Sequence, residues 1–374
     1  MLALSPTLSP PGRGRHAFLL ALLSTTALAN EPLALVDELL PRVVKVMGLP
    51  GPKNVKVKVV SREQAEALLR KDLETDRDHL QRLGEALLAV GLLPVGTKLE
   101  ALAPDFNRQN VNGFYDLRQH TLFLLDDQPD EAQRPIVAHE LAHAVQDAHV
   151  DLDAAMAARR DSEDATLAFT AVLEGQAQAT AALVMEGWLE DQHVTVEGMA
   201  GLLSDTAARS AAEAAEHAPV PWLGLQLSFP YVAGRELIAA KATADDPIAR
   251  GLLRKPPAST SQVLGATSSP LEAQLHLDRL VPNAKPSIST TLGRANVELL
   301  GAGLGEGWRG DRLESVRVGK KTVVAWVIVF ETPQQSAKVA AAMKNASASG
   351  RSVVVVTGEQ SPKLRAALLA REFR

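Results

Sequence analysis

A helix-rich α+β fold, with a small α+β domain at its carboxyl end, follows from three features of the sequence. Apolar residues recur at helical spacing between Gly/Pro breaks through most of the first 250 positions. Short alternating segments such as VKVKVV (55–60) and TLFLL (121–125) interrupt them. From about residue 286 the texture changes to paired strand-like runs. The 374 residues, 46% of them hydrophobic, are enough for one large domain and a smaller one. The expected organisation is therefore an amino-terminal leader over 1–29, a main domain over 30–285 and a small α+β domain over 286–374.

The leader has a polar start carrying Arg13, Arg15 and His16, then AFLLALLSTTALA and Asn30. A short apolar run ending in Ala27-Leu28-Ala29 has the composition of a cleavable secretory signal and is too short to span a bilayer. The alternative is an apolar first helix. No second segment is apolar for long enough to be a membrane span, so the chain is expected to be exported (periplasmic or secreted) and then soluble.

EPLALVDELLPRVVKVMG reads as an amphipathic helix ended by GLPGP (48–52). VKVKVV follows as a strand, and Ser61 with Gln64 gives a capping box opening a helix through Ala89, stopped by Gly91 and Pro94. Residues 95–113 look irregular. GFYDLRQHTLFLLDD then gives two short strands around a turn over Asp116–Gln119. A helix starting between Glu131 and Pro135 comes next, because proline is tolerated only in a first turn. Another helix is expected from Ser162 through Trp188, and residues 205–250 read as helical, broken at HAPVPW and at FPY (229–231). KPPASTSQVLGATSSP (255–270) reads as a loop. RLESVRVGKKTVVAWVIVF gives two strands around a Gly-Lys turn, followed by a helix (333–345), the strand SVVVVTG and a last helix. The glycine-rich GAGLGEGWRG follows no strand and opens no helix, which argues against a phosphate loop.

Composition narrows the chemistry. A net charge of −5 with no basic run excludes a nucleic-acid face. The absence of cysteine excludes thiolate ligands, a cysteine nucleophile and disulfides. Any metal must sit on His, Asp or Glu.

Three of the nine histidines fall within PIVAHELAHAVQDAH. On a helix His139 and His143 lie about 40° apart around the axis and about 6 Å along it, so both imidazoles can face one point with Glu140 beside them. This is the H-E-x-x-H arrangement, in which two imidazoles hold Zn²⁺ and the glutamate takes a proton from a water without ligating. Two residues compete to be the third ligand. His149 has the spacing of the H-E-x-x-H-x-x-G-x-x-H class, but Gln146 stands where that class needs its turning glycine. Glu174, in AVLEGQAQAT on the next helix, sits among Ala and Val, where a buried carboxylate would need compensation, and Gly175 beside it permits close helix approach. The bland reading of these residues is a helix with satisfied histidines and a solvated glutamate.

HELAHAVQD (139–147) together with ATLAFTAVLEGQA (165–177) resembles the gluzincin type of zinc metallopeptidase, and more closely a group of exported bacterial proteins of that type. The likeness extends to GLLP (91–94), NGFYD (112–116), FPY (229–231), PPAST (256–260) and GWRGDR (307–312), so it covers most of the chain. It implies a zincin-like metallopeptidase domain with His139, His143 and Glu174 as zinc ligands and Glu140 as base. Gln176 departs from the acid common there, and STSQVLG (259–265) lacks the usual acid and histidine.

Tyr115 and Tyr231, the two tyrosines of the chain, both fall in these stretches. Either phenol near the zinc could donate to an oxyanion, and Tyr231, beyond the ligand helix, is the preferred one; core packing is the alternative for each. Asp164 and Asp147 could orient a ligand imidazole. In the implied architecture HTLFLLDD forms the upper edge of the cleft, where an extended peptide could pair with it. The expected function is a zinc peptidase acting on a peptide or protein substrate, with Zn²⁺ as cofactor. The rivals are a zinc amidase acting on cell-wall crosslinks and a zinc-stabilised binding protein.

Overall fold

The computed structural model describes residues 32–109, 112–127, 130–193, 199–358, 361–371 and 373; the proposed leader over 1–29 lies outside them. Among the described residues the fold is α+β and helix-rich. Its elements run α1 (Pro32–Met47), β1 (Lys56–Val60), α2 (Arg62–Ala89), α3 (Leu99–Gln109), β2 (Gly113–Asp116), β3 (Thr121–Leu125), α4 (Asp130–His149), α5 (Leu152–Ala157), α6 (Glu163–Asp191), α7 (Met199–Glu216) and α8 (Pro221–Lys241). Three short helices follow, α9 (Gly251–Arg254), α10 (Thr260–Val263) and α11 (Leu277–Leu280). The carboxyl-terminal part comprises β4 (Lys285–Thr290), α12 (Gly293–Glu298), β5 (Trp308–Val318), β6 (Lys321–Phe330), α13 (Pro333–Ala342), β7 (Ala346–Ser349), β8 (Ser352–Thr357) and α14 (Ser361–Leu369). Among the described residues no helix is long and apolar enough to cross a membrane.

Local signals act where the sequence places them. Ser61 caps α2 in both directions, accepting from Gln64 N at 3.3 Å while its own N–H reaches Gln64 Oε1 at 3.0 Å. Ser162 caps α6 by accepting from Ala165 N.

Elsewhere tertiary packing overrides the local reading. Residues 99–109, expected to be irregular, form α3, whose Leu99, Ala103 and Phe106 are buried. That stripe is short, and Pro104 within it hides the periodicity. FPY does not break the chain: α8 runs through Pro230, and Phe229, Pro230 and Tyr231 are all buried. Pro135 likewise lies beyond the first turn of α4, which begins at Asp130, so a lost backbone hydrogen bond is offset by the burial of Ile136 and Val137 just after it. The loop expected at 255–270 contains α10, capped by Ser259.

The first sheet has the order β1-β3-β2, with β1 parallel and β2 antiparallel to β3. The strand TLFLL, expected at the edge of a cleft, is therefore the central one, paired on both sides, and its backbone is not open to a peptide. All five of its residues are buried. The second sheet is antiparallel throughout, in the order β4-β5-β6-β8-β7.

One apolar cluster joins α1, α4, α6 and β3 through Leu39, Val43, Leu141, Phe169, Leu173 and Leu122. Another joins Leu83 and Leu87 of α2, Leu99 of α3 and Trp222 of α8 to Trp326, Phe330 and Val353 of the second sheet. The apolar interior thus runs across residue 285.

Candidate metal centre

The middle of α4 is buried on every side, and Val137, Ala138, Leu141, Ala142 and Val145 have no exposed surface. A helix sunk this deeply leaves its polar residues little solvent, so His139, Glu140, His143 and Gln146, all buried, must find partners within the protein. The partners come from α6, whose central residues Glu174, Gln176 and Gln178 are buried too.

A close crossing brings a third helix to the same place. Gly175 of α6 and Gly234 of α8 face each other, and a β-carbon on Gly175 would overlap the Gly234 carbonyl, while one on Gly234 would overlap the Ala171 carbonyl. Only glycine lets these backbones approach so closely. Tyr231, about one turn before Gly234, is thereby laid over the site: its ring stacks on His139 at 6.2 Å between centroids and 15° between planes, and its side chain hydrogen-bonds Glu174.

The three expected ligands converge. His139 Nε2 lies 3.1 Å from Glu174 Oε2, His143 Nε2 lies 3.6 Å from the same oxygen, and the two Nε2 atoms are 3.2 Å apart. All three ligand atoms fall within 4.8 Å of one another. Two ring nitrogens and a carboxylate oxygen aimed at one point form a donor set suited to a borderline divalent cation such as Zn²⁺. Paired imidazole nitrogens at this distance need either a shared proton or a cation between them, so the residues present fit a metal.

The three groups are also strongly coupled electrostatically. Burial alone would raise the Glu174 carboxyl, but the His143 and His139 imidazoles outweigh it and hold the group below the usual carboxylate range. Burial would lower His143, but the Glu174 carboxylate outweighs it and the group is raised. Burial, with the Glu174 and Glu140 carboxylates, keeps the Tyr231 phenol protonated far above its ordinary value. Tyr231 is thus held as a hydrogen-bond donor.

The remaining candidates lie elsewhere. α4 runs unbroken through His149, which stands about 15 Å along the axis from His139 and accepts a hydrogen bond from Arg254 Nε at 2.9 Å. Neither Asp147 nor Asp164 orients a ligand imidazole. Asp147 Oδ2 accepts from the Tyr115 hydroxyl at 3.0 Å and contacts His120 Nδ1 at 2.7 Å, which also takes Tyr115 away from the metal cluster. Asp164 accepts from the backbone N–H and hydroxyl of Thr260 at 2.8 and 2.5 Å. The group that meets a ligand ring is Gln146, whose Oε1 lies 2.8 Å from His143 Nδ1. In the sequence Gln146 had stood only for a missing glycine; its signal was a polar residue three positions after a histidine inside an apolar helix.

No protein-family model, curated protein or solved structure matches the chain. The reading of the site rests on its own geometry.

Proposed function

We propose that the protein is a zinc-dependent peptidase of the gluzincin type, exported and acting on peptide or protein substrates. The observation that carries this reading is the convergence of His139, His143 and Glu174 on one point, with Glu140 on the same helix between the two histidines. His139, His143 and Glu174 would hold the metal. Bound zinc would supply Lewis acidity, polarising a scissile carbonyl and making a water a stronger nucleophile.

Glu140 takes the proton from the attacking water and passes it to the leaving amine nitrogen. It is fully buried, so its carboxylate acts where no bulk water competes. Tyr231, protonated and stacked on His139, would turn its hydroxyl from Glu174 to the carbonyl oxygen as negative charge develops on it. Among the ligand side chains His139 is the one that solvent touches, at 10% exposed against 2% for His143 and for Glu174. Solvent therefore comes nearest the cluster on the His139 side.

Digestion of a mixed peptide library by the zinc-loaded protein, beside Glu140→Gln, tests the reading. Cleavage by the wild type and none by the variant is expected. An intact library, or equal cleavage by both proteins, contradicts it.

A further inference from the structure

A chain of buried amides reaches from a strained turn to one of the proposed metal ligands. Gln146 is fully buried and touches three groups: His143 Nδ1 through Oε1 at 2.8 Å, and the Leu173 carbonyl and Gln176 Oε1 through Nε2, each at 3.1 Å. Gln176 is fully buried too, and its Nε2 donates to the Ala249 carbonyl at 3.2 Å.

The orientation of both amides follows from the ends of this chain. A backbone carbonyl only accepts, so Leu173 O requires the Gln146 NH₂ on its side, and Ala249 O requires the Gln176 NH₂ on its side. Gln176 then presents its oxygen to Gln146, and Gln146 presents its oxygen to His143. An amide oxygen only accepts, so His143 Nδ1 must carry a hydrogen, and Nε2, the atom facing His139 and Glu174, is left for a ligand. No solvent reaches these amides to offer another arrangement.

The outer end of the chain is itself held. Ala249 adopts φ 51°, a left-handed conformation unfavourable for a residue with a β-carbon. The turn around it is tied by Ala249 N to Asp246 O at 3.2 Å, by Arg250 N to the Asp246 carboxylate at 3.0 Å, and by Arg250 Nη1 to Gly48 O at 3.3 Å. A strained alanine whose carbonyl meets a buried amide is a conformation maintained by its surroundings.

We propose that Gln146, oriented by Gln176 and the Ala249 carbonyl, is the positioning residue that fixes the His143 ring with Nδ1 as donor and Nε2 free to bind a metal. The inference rests on the metal reading of His139, His143 and Glu174. Gln146 touches no substrate and acts through His143 alone. It also accounts for Gln176, because a carboxylate there could accept from Gln146 but could not donate to Ala249.

Competitive zinc titration of the full chain, with thermal unfolding of the metal-free proteins alongside, tests the relay in Gln146→Met and Gln146→Glu. Methionine keeps the length of the side chain and removes the acceptor; glutamate gives up the donor to Leu173 O and Gln176 Oε1 but keeps the acceptor for Nδ1, the one contact through which the residue acts on the metal ligand. Zinc affinity is expected to fall about 10–100-fold in Gln146→Met and to stay within about tenfold of wild type in Gln146→Glu. Packing alone predicts the reverse order, since glutamate buries a charge where methionine buries none. Gln146→Met binding as tightly as wild type, or Gln146→Glu binding more weakly than Gln146→Met, overturns the relay and leaves the metal site standing. Absence of zinc binding by the wild type overturns both. Should Gln146→Met fail to fold, Gln176→Met serves instead: a loss of about three- to tenfold is expected, with the Leu173 carbonyl still orienting Gln146, and an unchanged affinity overturns the relay.

Discussion

Glu174 on α6 and Asp311 on β5 are two carboxylates with the same solvent exposure, 1% each, and opposite surroundings. Asp311 is caged by four neutral donors: Leu292 N at 2.9 Å, Gly293 N at 2.8 Å, Trp308 Nε1 at 3.1 Å and Trp326 Nε1 at 2.9 Å. Burial still pushes its carboxyl up, because those hydrogen bonds only partly replace water. Glu174 meets two imidazoles and a phenol, and the imidazoles hold it down despite equal burial. Burial of a carboxylate therefore does not mark a site. Asp311 fastens the second sheet to the 292–293 turn, whereas Glu174 sits among groups that could hold a cation.

The contrast predicts opposite consequences for two substitutions. Glu174→Ala should weaken zinc binding by orders of magnitude and eliminate hydrolysis, since one ligand and its charge are lost together. Asp311→Asn should leave zinc affinity within about tenfold of wild type, but strand indole or backbone donors at a cost on the order of 2 kcal/mol in denaturant unfolding. Zinc titration and urea melts of the pair check both; loss of zinc in Asp311→Asn with Glu174→Ala unaffected would erase the distinction.

Glu140→Gln separates holding the metal from using it. Zinc affinity should change by less than about tenfold, while hydrolysis drops by at least about 10²-fold, because the amide keeps the shape and cannot accept a proton. Paired zinc titrations and peptide-cleavage rates decide this.

Asp164 is another buried carboxyl and belongs with Asp311. Burial raises it to about 7 from an ordinary value of 3.8, against the opposing hydrogen bonds of Thr260. The folded chain thus binds this proton more tightly than the unfolded chain, so stability should decline as pH rises from about 4 to about 7 and level off above. Asp164→Asn should remove that decline and leave zinc binding unchanged. Thermal unfolding midpoints of both proteins across that pH range test it, and parallel curves would assign the burial penalty elsewhere. The smallest effect is expected at His149→Ala, below about tenfold in zinc affinity, because His149 meets Arg254 and not the cluster.

The H-E-x-x-H pair was legible because a helix alone fixes the relation of His139 to His143, and Glu174 because an acid in an apolar stretch needs a partner. Tyr231 was half legible: its placement depends on the Gly175–Gly234 crossing, and only one of those glycines had drawn notice in the sequence. Gln146 and Gln176 were opaque because their meaning lies in two carbonyls, of Leu173 and Ala249, distant in the chain. GWRGDR was visible as text, yet the cage around Asp311 also needs Trp326 and a turn from separate segments. β3 was misplaced at an edge because its parallel neighbour, β1, is some sixty residues earlier, and no local pattern announces that pairing.

Titration of zinc into the metal-free wild type and into His143→Ala bears most closely on the metal centre. One zinc per chain should bind to the wild type, with affinity lost by orders of magnitude in His143→Ala. Zinc binding of equal strength in both proteins, or none in the wild type, would contradict it.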